Sequence, residues 1–226
     1  MRINKNTQIC ISIAKQAGNF GTTLHNRAFQ TTGVNFVYKA CSVDDLENAI
    51  LGIRALGIRG AGITMPYKTA ALNHVDIVDE TAKAVGATNT ITNTNGVLCA
   101  YNTDVYSTGI VLSEHNSDRV LYVLGNGGFA SAVKFSATKL GFKSVHTITR
   151  REWHELSNIR DSIVFNCTPV HDIQHVIDQS NIFLDCLTNT TNGARMAILQ
   201  ATLQFELYTG VKFPFEIIDS DSWSLK

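Results

Sequence analysis

Short apolar segments rich in β-branched residues alternate with longer segments of helical period along the first third of the chain: ICISIA, TLHNRAFQTT, VNFVYKA, DDLENAILGIRAL and IRGAGITM. A helix between two strands joins them in parallel, so this order predicts βαβ units and a parallel sheet covered by helices. Asp44 and Asp45 stand where acidic residues suit the positive end of a helix, and Gly57 stands where a helix ends in a left-handed residue. DIVDETAKAVG reads as a further helix. TNTITNTNGVLCA reads as a hairpin turning at Asn95-Gly96, placed at the edge of the sheet.

A second series begins with RVLYVLGNGGFASAVKFSATKLGFKSVHTITR, one βαβ unit of strand, glycine turn, helix, Gly141 and strand. DSIVFNCTP and NIFLDCL read as two more strands, with HDIQHVIDQS as a helix between them and RMAILQATLQFELYTG as a final amphipathic helix. The chain therefore divides into two α/β lobes. With 226 residues, 44% hydrophobic and 17% charged, it has enough apolar material to bury a core.

Basic and acidic residues number 19 each, so no net field draws the chain to nucleic acid or to a membrane surface, and the expected partner is a small molecule. Cys10, Cys41, Cys99, Cys167 and Cys186 form no CxxC pair and are odd in number, which argues against a disulfide framework. Four of them lie beside apolar residues and read as buried thiols. No apolar run reaches the length of a signal peptide core or a membrane span, so a cytoplasmic protein is expected. The histidines form no HExxH. His171 and His175, four apart, have no evident third ligand, so no metal is expected.

Gly125-Asn126-Gly127-Gly128-Phe129-Ala130 fits G-x-G-x-x-A between the strand VLYVL and the helix ASAVKFSATKL. Glycines there let the backbone turn tightly and approach a pyrophosphate at the helix N-terminus. At the end of the next strand an acidic residue would bond the ribose of NAD. This chain has Thr149-Arg150-Arg151, whose guanidinium groups suit a 2′-phosphate, so NADP is expected over NAD. The other reading of the two arginines is solvated surface charge.

Gly60-Ala61-Gly62-Ile63-Thr64-Met65-Pro66-Tyr67-Lys68 places a lysine just beyond a strand, and Asn102-Thr103-Asp104 opens a helix-like segment. Taken alone, Lys68 reads as a solvated lysine, Asp104 as a helix cap, and Thr64 and Asn89 as local backbone partners. Together with Gly86-Ala87-Thr88-Asn89-Thr90 and Asn166-Cys167-Thr168-Pro169, however, these stretches resemble, in order, the G-x-N-V-T-x-P-x-K, G-A-V-N-T, N-T-D and N-A-T-P motifs of the shikimate dehydrogenase family. GNFGTT at 18–23 is similar to a shikimate dehydrogenase-like branch.

The resemblance covers most of the chain. It implies a substrate-binding lobe over 1–105, a trimmed Rossmann-type NADP lobe over 106–192, and a C-terminal helical return to the first lobe over 193–226. The implied reaction is NADP-dependent reduction of 3-dehydroshikimate or a related cyclic polyol acid, in a monomer or homodimer. Carried over residue by residue, Lys68 and Asp104 become catalytic. Asn19, Gly21, Thr22, Thr64, Asn89 and Gln200 become substrate contacts. Gly125 to Ala130, Thr149, Arg150, Arg151 and Thr168 become cofactor contacts. A lysine and a carboxylate suit that chemistry, because a ketone reduced by hydride leaves an alkoxide that needs a proton.

The chain departs from the family pattern where a Ser-x-Ser pair binds the substrate carboxylate: Asn19 and Gly21 stand at those positions. Losing one such charge-assisted bond costs roughly 1.5–3 kcal/mol, which the adjacent Thr22 and Thr23 offset in part. Gly62 replaces an asparagine, and Ala100 a glycine. Arg150 to Asn166 is short, and after Asp185-Cys186-Leu187 the chain passes almost directly to its last helix, without the family's Tyr-Asn-Pro segment. These losses imply low activity, or alternatively a non-catalytic protein that binds NADP or a metabolite.

Overall fold

The computed structural model describes residues 3–226. They form two compact units, one of residues up to Thr103 together with Gln200–Lys226, the other of Asp104–Leu199. The first contains β1 (Gln8–Ala14), α1 (Phe20–Thr32), β2 (Phe36–Ser42), α2 (Leu46–Ala55), β3 (Gly60–Ile63), β4 (Ile77–Val78), α3 (Glu80–Val85), β5 (Thr90–Thr94) and β6 (Val97–Tyr101). Its sheet runs in the order β2-β1-β3-β5-β6-β4. The βαβ connections make β1 parallel to β2 and β3, while β5 is antiparallel to both β3 and β6.

Alternation along the strands separates two layers. Ile11, Ile13, Ala61, Ile63 and Ile91 share a core with Leu46, Ile50 and Ile53 of α2. That helix starts where the Asp45 side chain accepts from the Asn48 amide at 3.0 Å and ends before Gly57, whose φ is +62°. On the other face lie Cys10, Ser12, Gly60 and Gly62, with aromatic residues stacked over them. A Cβ at Gly60 would stand 2.1 Å from the ring of Tyr208, so only glycine admits that ring against β3. His25 of α1 stacks on Tyr38 with ring centroids 4.4 Å apart, and Phe29 stacks on Phe205 at 5.4 Å.

The second unit contains α4 (Asp104–Ser113), β7 (Leu121–Leu124), α5 (Gly128–Lys139), β8 (Val145–Ile148), β9 (Ile163–Asn166), β10 (Ile182–Asp185) and the start of α6 (Thr191–Thr209). Its four parallel strands run in the order β10-β9-β7-β8. Leu121, Val123, Ile163 and Phe165 face α4 and α5 through Val111, Leu112, Val133 and Ala137. Leu124, Val164 and Ile148 face Leu156, Ile159, Ile173 and Ile177. A parallel sheet needs both faces covered, and here short 3-10 segments at Arg150–Asn158 and Ile173–Val176 do part of that work. After Gln200, α6 runs within the first unit. Ile218–Asp219 and Ser224–Leu225 close the chain as a small two-stranded sheet, β11 and β12.

Several expectations need correction. HDIQHVIDQS forms a single 3-10 turn, because Asp172 takes φ of +58° and interrupts any longer helix. DIVDETAKAVG splits into β4 and the six-residue α3, since Ile77 and Val78 pair with Cys99 and Ala100. That pairing also displaces the hairpin from the sheet edge: β4 covers β6, while Asn95 and Gly96 take the positive φ of the expected turn. The helix read as starting at TLHNRAF begins earlier, at Phe20. Only Cys10 among the cysteines is fully buried, the other four being half-buried, and none of the five forms a disulfide. No helix among the described residues is long and apolar enough to cross a membrane.

Burial lowers the His25 imidazole from 6.5 to about 4, with the neighbouring Gln204 side chain offsetting part of the shift. The folded state therefore holds His25 neutral where the unfolded chain would protonate it. This contribution is complete above about pH 6.5 and is lost as pH falls towards 4. Denaturant unfolding between pH 7 and 4 should show a loss of about 3 kcal/mol in the parent that a His25→Phe variant lacks.

Candidate functional site

In the first unit the buried groups converge on Asn89, at the entry to β5. Its Nδ2 donates to Thr103 Oγ1 at 2.9 Å and to Gln200 Oε1 at 3.1 Å. Its Oδ1 accepts from the Thr103 amide at 2.8 Å and from Thr90 Oγ1 at 2.9 Å. Gln204 Nε2 donates to the Asn89 carbonyl and to Thr90 Oγ1, both at 3.0 Å. Thr88, Asn89, Thr90, Thr103 and Gln204 are all buried, and buried polar groups hold position only when paired in this way. The network brings Asn89 and Gln200 together. It also adds Thr90 and Thr103, motif residues to which no role was given, and Gln204, which lies in none of the motifs. The available signals were modest: Gln204 lies one turn after Gln200 on the same helix face, and Thr103 precedes Asp104 directly.

Thr64 is exposed in the turn after β3, where its amide donates to the Ile13 carbonyl and its carbonyl accepts from the Tyr67 amide. Lys68 follows, half-buried, with its carbonyl accepting from the Thr88 amide at 2.8 Å. The stretch GNFGTT is the entry of α1 rather than an open loop. Asn19 occupies the cap position and its Nδ2 donates to Thr23 Oγ1 at 3.3 Å. Thr22 Oγ1 accepts from the Ala40 amide of β2 at 3.0 Å, and Thr23 Oγ1 donates to the Asn19 carbonyl at 3.2 Å. Both threonine hydroxyls thus serve local structure. Gly21 faces Tyr38, 3.3 Å separating the ring from the place of a Cβ.

In the second unit Asp104 is buried at the start of α4, where its carbonyl accepts from Ser107 Oγ and Thr108 Oγ1. The glycine turn follows β7. Gly125 has φ of +99°, and a Cβ there would stand 2.9 Å from Cγ2 of Thr168. The contact spans β7 and β9 at their carboxyl ends, where the order β10-β9-β7-β8 reverses direction, which is where open α/β sheets bind ligands. Thr168 is fixed there by Asn166, whose Oδ1 accepts from its hydroxyl at 2.7 Å and its amide at 3.0 Å. Asn166 Nδ2 in turn donates to Asp185 Oδ1 at 3.2 Å, and burial raises the Asp185 carboxyl above its usual range.

Gly127 caps α5, Asn126 Oδ1 accepts from Lys134 Nζ at 2.9 Å, and Gly128 opens the helix. Phe129 and Ala130 pack inward, Phe129 edge-on to Phe165. A helix start reached through a turn whose Gly125 admits no side chain fits a pyrophosphate. Thr149 caps the following 3-10 segment, its amide and hydroxyl both donating to Glu152 Oε2 at 2.8 Å, and leaves Arg150 and Arg151 exposed beyond it. A guanidinium pair at the end of β8 fits a 2′-phosphate.

An α/β protein whose first unit encloses a polar network and whose second has a Rossmann-type glycine turn belongs to the class of nucleotide-binding α/β proteins. The family described as shikimate dehydrogenase substrate binding domain matches residues 20–91. The shikimate dehydrogenase-like protein of Haemophilus influenzae is 32% identical, over 96% of this chain and 96% of its own. The shikimate dehydrogenase (NADP(+)) of Caldanaerobacter subterraneus subsp. tengcongensis is 33% identical, over 89% of this chain and 74% of its own. A solved shikimate 5-dehydrogenase-like protein superimposes with a TM-score of 0.82 at 31% identity, covering 95% of this chain and 96% of that one. The chain belongs to the shikimate dehydrogenase family.

If the Asn89 network holds its side chains as a unit, Thr103→Val, which keeps the shape and deletes the hydroxyl, should lower the unfolding free energy by about 1–3 kcal/mol in a denaturant titration. A change below about 0.5 kcal/mol would show that the hydroxyl contributes little.

Proposed function

We propose that the protein is an NADP-dependent oxidoreductase that interconverts a secondary hydroxyl of a shikimate-like cyclic hydroxy acid with the ketone. The observation that carries this reading is the meeting of Asn89 and Gln200, 111 residues apart in sequence, within one buried network. The names of the relatives point to the same substrate class and to NADP. In this reading residues 1–105 bind substrate, 106–192 bind NADP, and 193–226 return to the substrate side.

Bound NADP supplies the hydride chemistry. Asn89 holds Gln200 so that the Gln200 side chain is offered to ring hydroxyls, and Asn19 and Thr64 add polar contacts. Lys68 and Asp104 manage the proton: in reduction the Lys68 ammonium gives a proton to the oxygen that has become an alkoxide, and in oxidation the neutral amine takes it back. The turn from Gly125 to Ala130 and Thr168 receives the pyrophosphate side, and Arg150 and Arg151, beside Thr149, receive the 2′-phosphate.

NADPH formation with shikimate and with quinate tests the reaction. Lys68→Ala should lower kcat by about 10²–10⁴-fold, and parent turnover no greater than that of this variant would overturn the enzyme reading. Replacing both Arg150 and Arg151 by glutamate should raise the KM for NADP at least about tenfold while leaving that for NAD nearly unchanged, since the reversed charges repel only the 2′-phosphate.

A second reading, a non-catalytic binder of NADP or a metabolite, is favoured by the second unit's four-stranded sheet, with Thr191 opening α6 six residues after β10 ends. Calorimetric NADP binding without turnover would establish it.

A further inference from the structure

On the face of the first unit's sheet opposite α2, Ser12 of β1 is only partly buried. From Cys10 to Ala14 every residue of β1 is buried except Ser12, although β1 is an inner strand flanked by β2 and β3. Ser12 shares its face with Cys10 and Ala14, opposite the packed Ile11 and Ile13. An inner-strand position that solvent reaches is the floor of a concavity.

Its register partner on β3 is Gly62. A Cβ on Gly62 would stand 2.8 Å from the Tyr38 hydroxyl and 3.6 Å from both Ser12 Cβ and Gln204 Nε2. Tyr38 comes from β2, on the far side of β1, so its ring crosses above β1 and delivers its hydroxyl beside Ser12 and Gly62. Gly21 makes room for the ring from above, and His25 stacks on it with an interplanar angle of 18°. Burial raises the phenol well beyond its ordinary range, with the Ser12 side chain, as hydrogen-bonding partner, acting against that rise. Tyr38 is thus a protonated donor at every physiological pH.

Two features that differ from the family pattern therefore share one cause. Gly21 stands where the second serine of the Ser-x-Ser pair would be and Gly62 where an asparagine would be, and one tyrosine fills the space above both. We propose that the hydroxyls of Ser12 and Tyr38 hold the carboxylate of the cyclic hydroxy acid, in place of the pair that Asn19 and Gly21 do not provide, and that Tyr38 determines which acid fits. This rests on the shikimate-like substrate class proposed above. A carboxylate accepts strongly from hydroxyl donors, and two neighbouring ones match its two oxygens.

Calorimetry with shikimate and with quinate, together with steady-state kinetics, tests the assignment on Tyr38→Phe and Ser12→Ala. Each variant should weaken binding of the probe that the parent prefers, and raise its KM, by about ten- to hundredfold. NADP affinity should stay within about twofold and kcat within about threefold. A tyrosine with only a packing role would leave probe affinity unchanged, because phenylalanine keeps the ring. Parent turnover with unaltered affinity in both variants overturns the assignment and leaves the dehydrogenase reading standing. Loss of affinity in one variant alone overturns the pair and assigns the contact to that single hydroxyl. Probe binding that is lost in both variants, with no turnover in the parent, supports the assignment and overturns the dehydrogenase reading. A parent that neither binds nor converts either probe overturns both.

Discussion

The first unit depends on the side chain of Asn89. One amide group ties three stretches of chain that are remote in sequence: the entry to β5, the turn at Thr103 that leads out of β6, and α6 through Gln200. Inside a protein each of these bonds is stronger than in water, and each group left unpaired would be costly. The network therefore sets where α6 lies over the sheet. Gln204, one turn further on, secures the same helix to the Asn89 carbonyl. Position and polarity come together here, since Asn89 and Gln200, which hold the helix, are also among the residues proposed for the substrate side.

Glycine plays the complementary part on β3. Gly60 and Gly62 lie on the face turned towards α6, where Tyr208 and Tyr38 occupy the volume that side chains would need. Small residues on the strand thus exchange local side chains for large rings supplied from elsewhere. The same principle appears at the nucleotide turn, where Gly125 combines positive φ with the close approach of Thr168. In both units a glycine marks the place where another segment must come near, and in both that place belongs to a proposed binding surface.

Much of the architecture was legible in the sequence. The short apolar, β-branched run ICISIA, the helical period and end signals around LENAILGIRA, Asn95-Gly96 and the glycine turn each specify a local conformation, because each depends on neighbours a few residues away. The errors arose where length and pairing overrode local preference. Ile77 and Val78 left a helical pattern because β6 offered a strand partner, and HDIQHVIDQS was too short and too interrupted at Asp172 to become a helix.

The sequence by itself determined the α/β class, the family, and the order of the motifs that name Lys68, Asn89, Asp104 and the turn at Gly125, since those are written in local spacing. Only the tertiary structure decided that Thr22 is occupied with the β2 backbone, that Thr103 and Gln204 support Asn89, and that Ser12, Tyr38 and Gly62 meet. Ser12 and Tyr38 are separated by an intervening helix, and their approach depends on strand order and on which face each residue takes. Sheet register and side-chain packing set those relations, and no short stretch of sequence contains them.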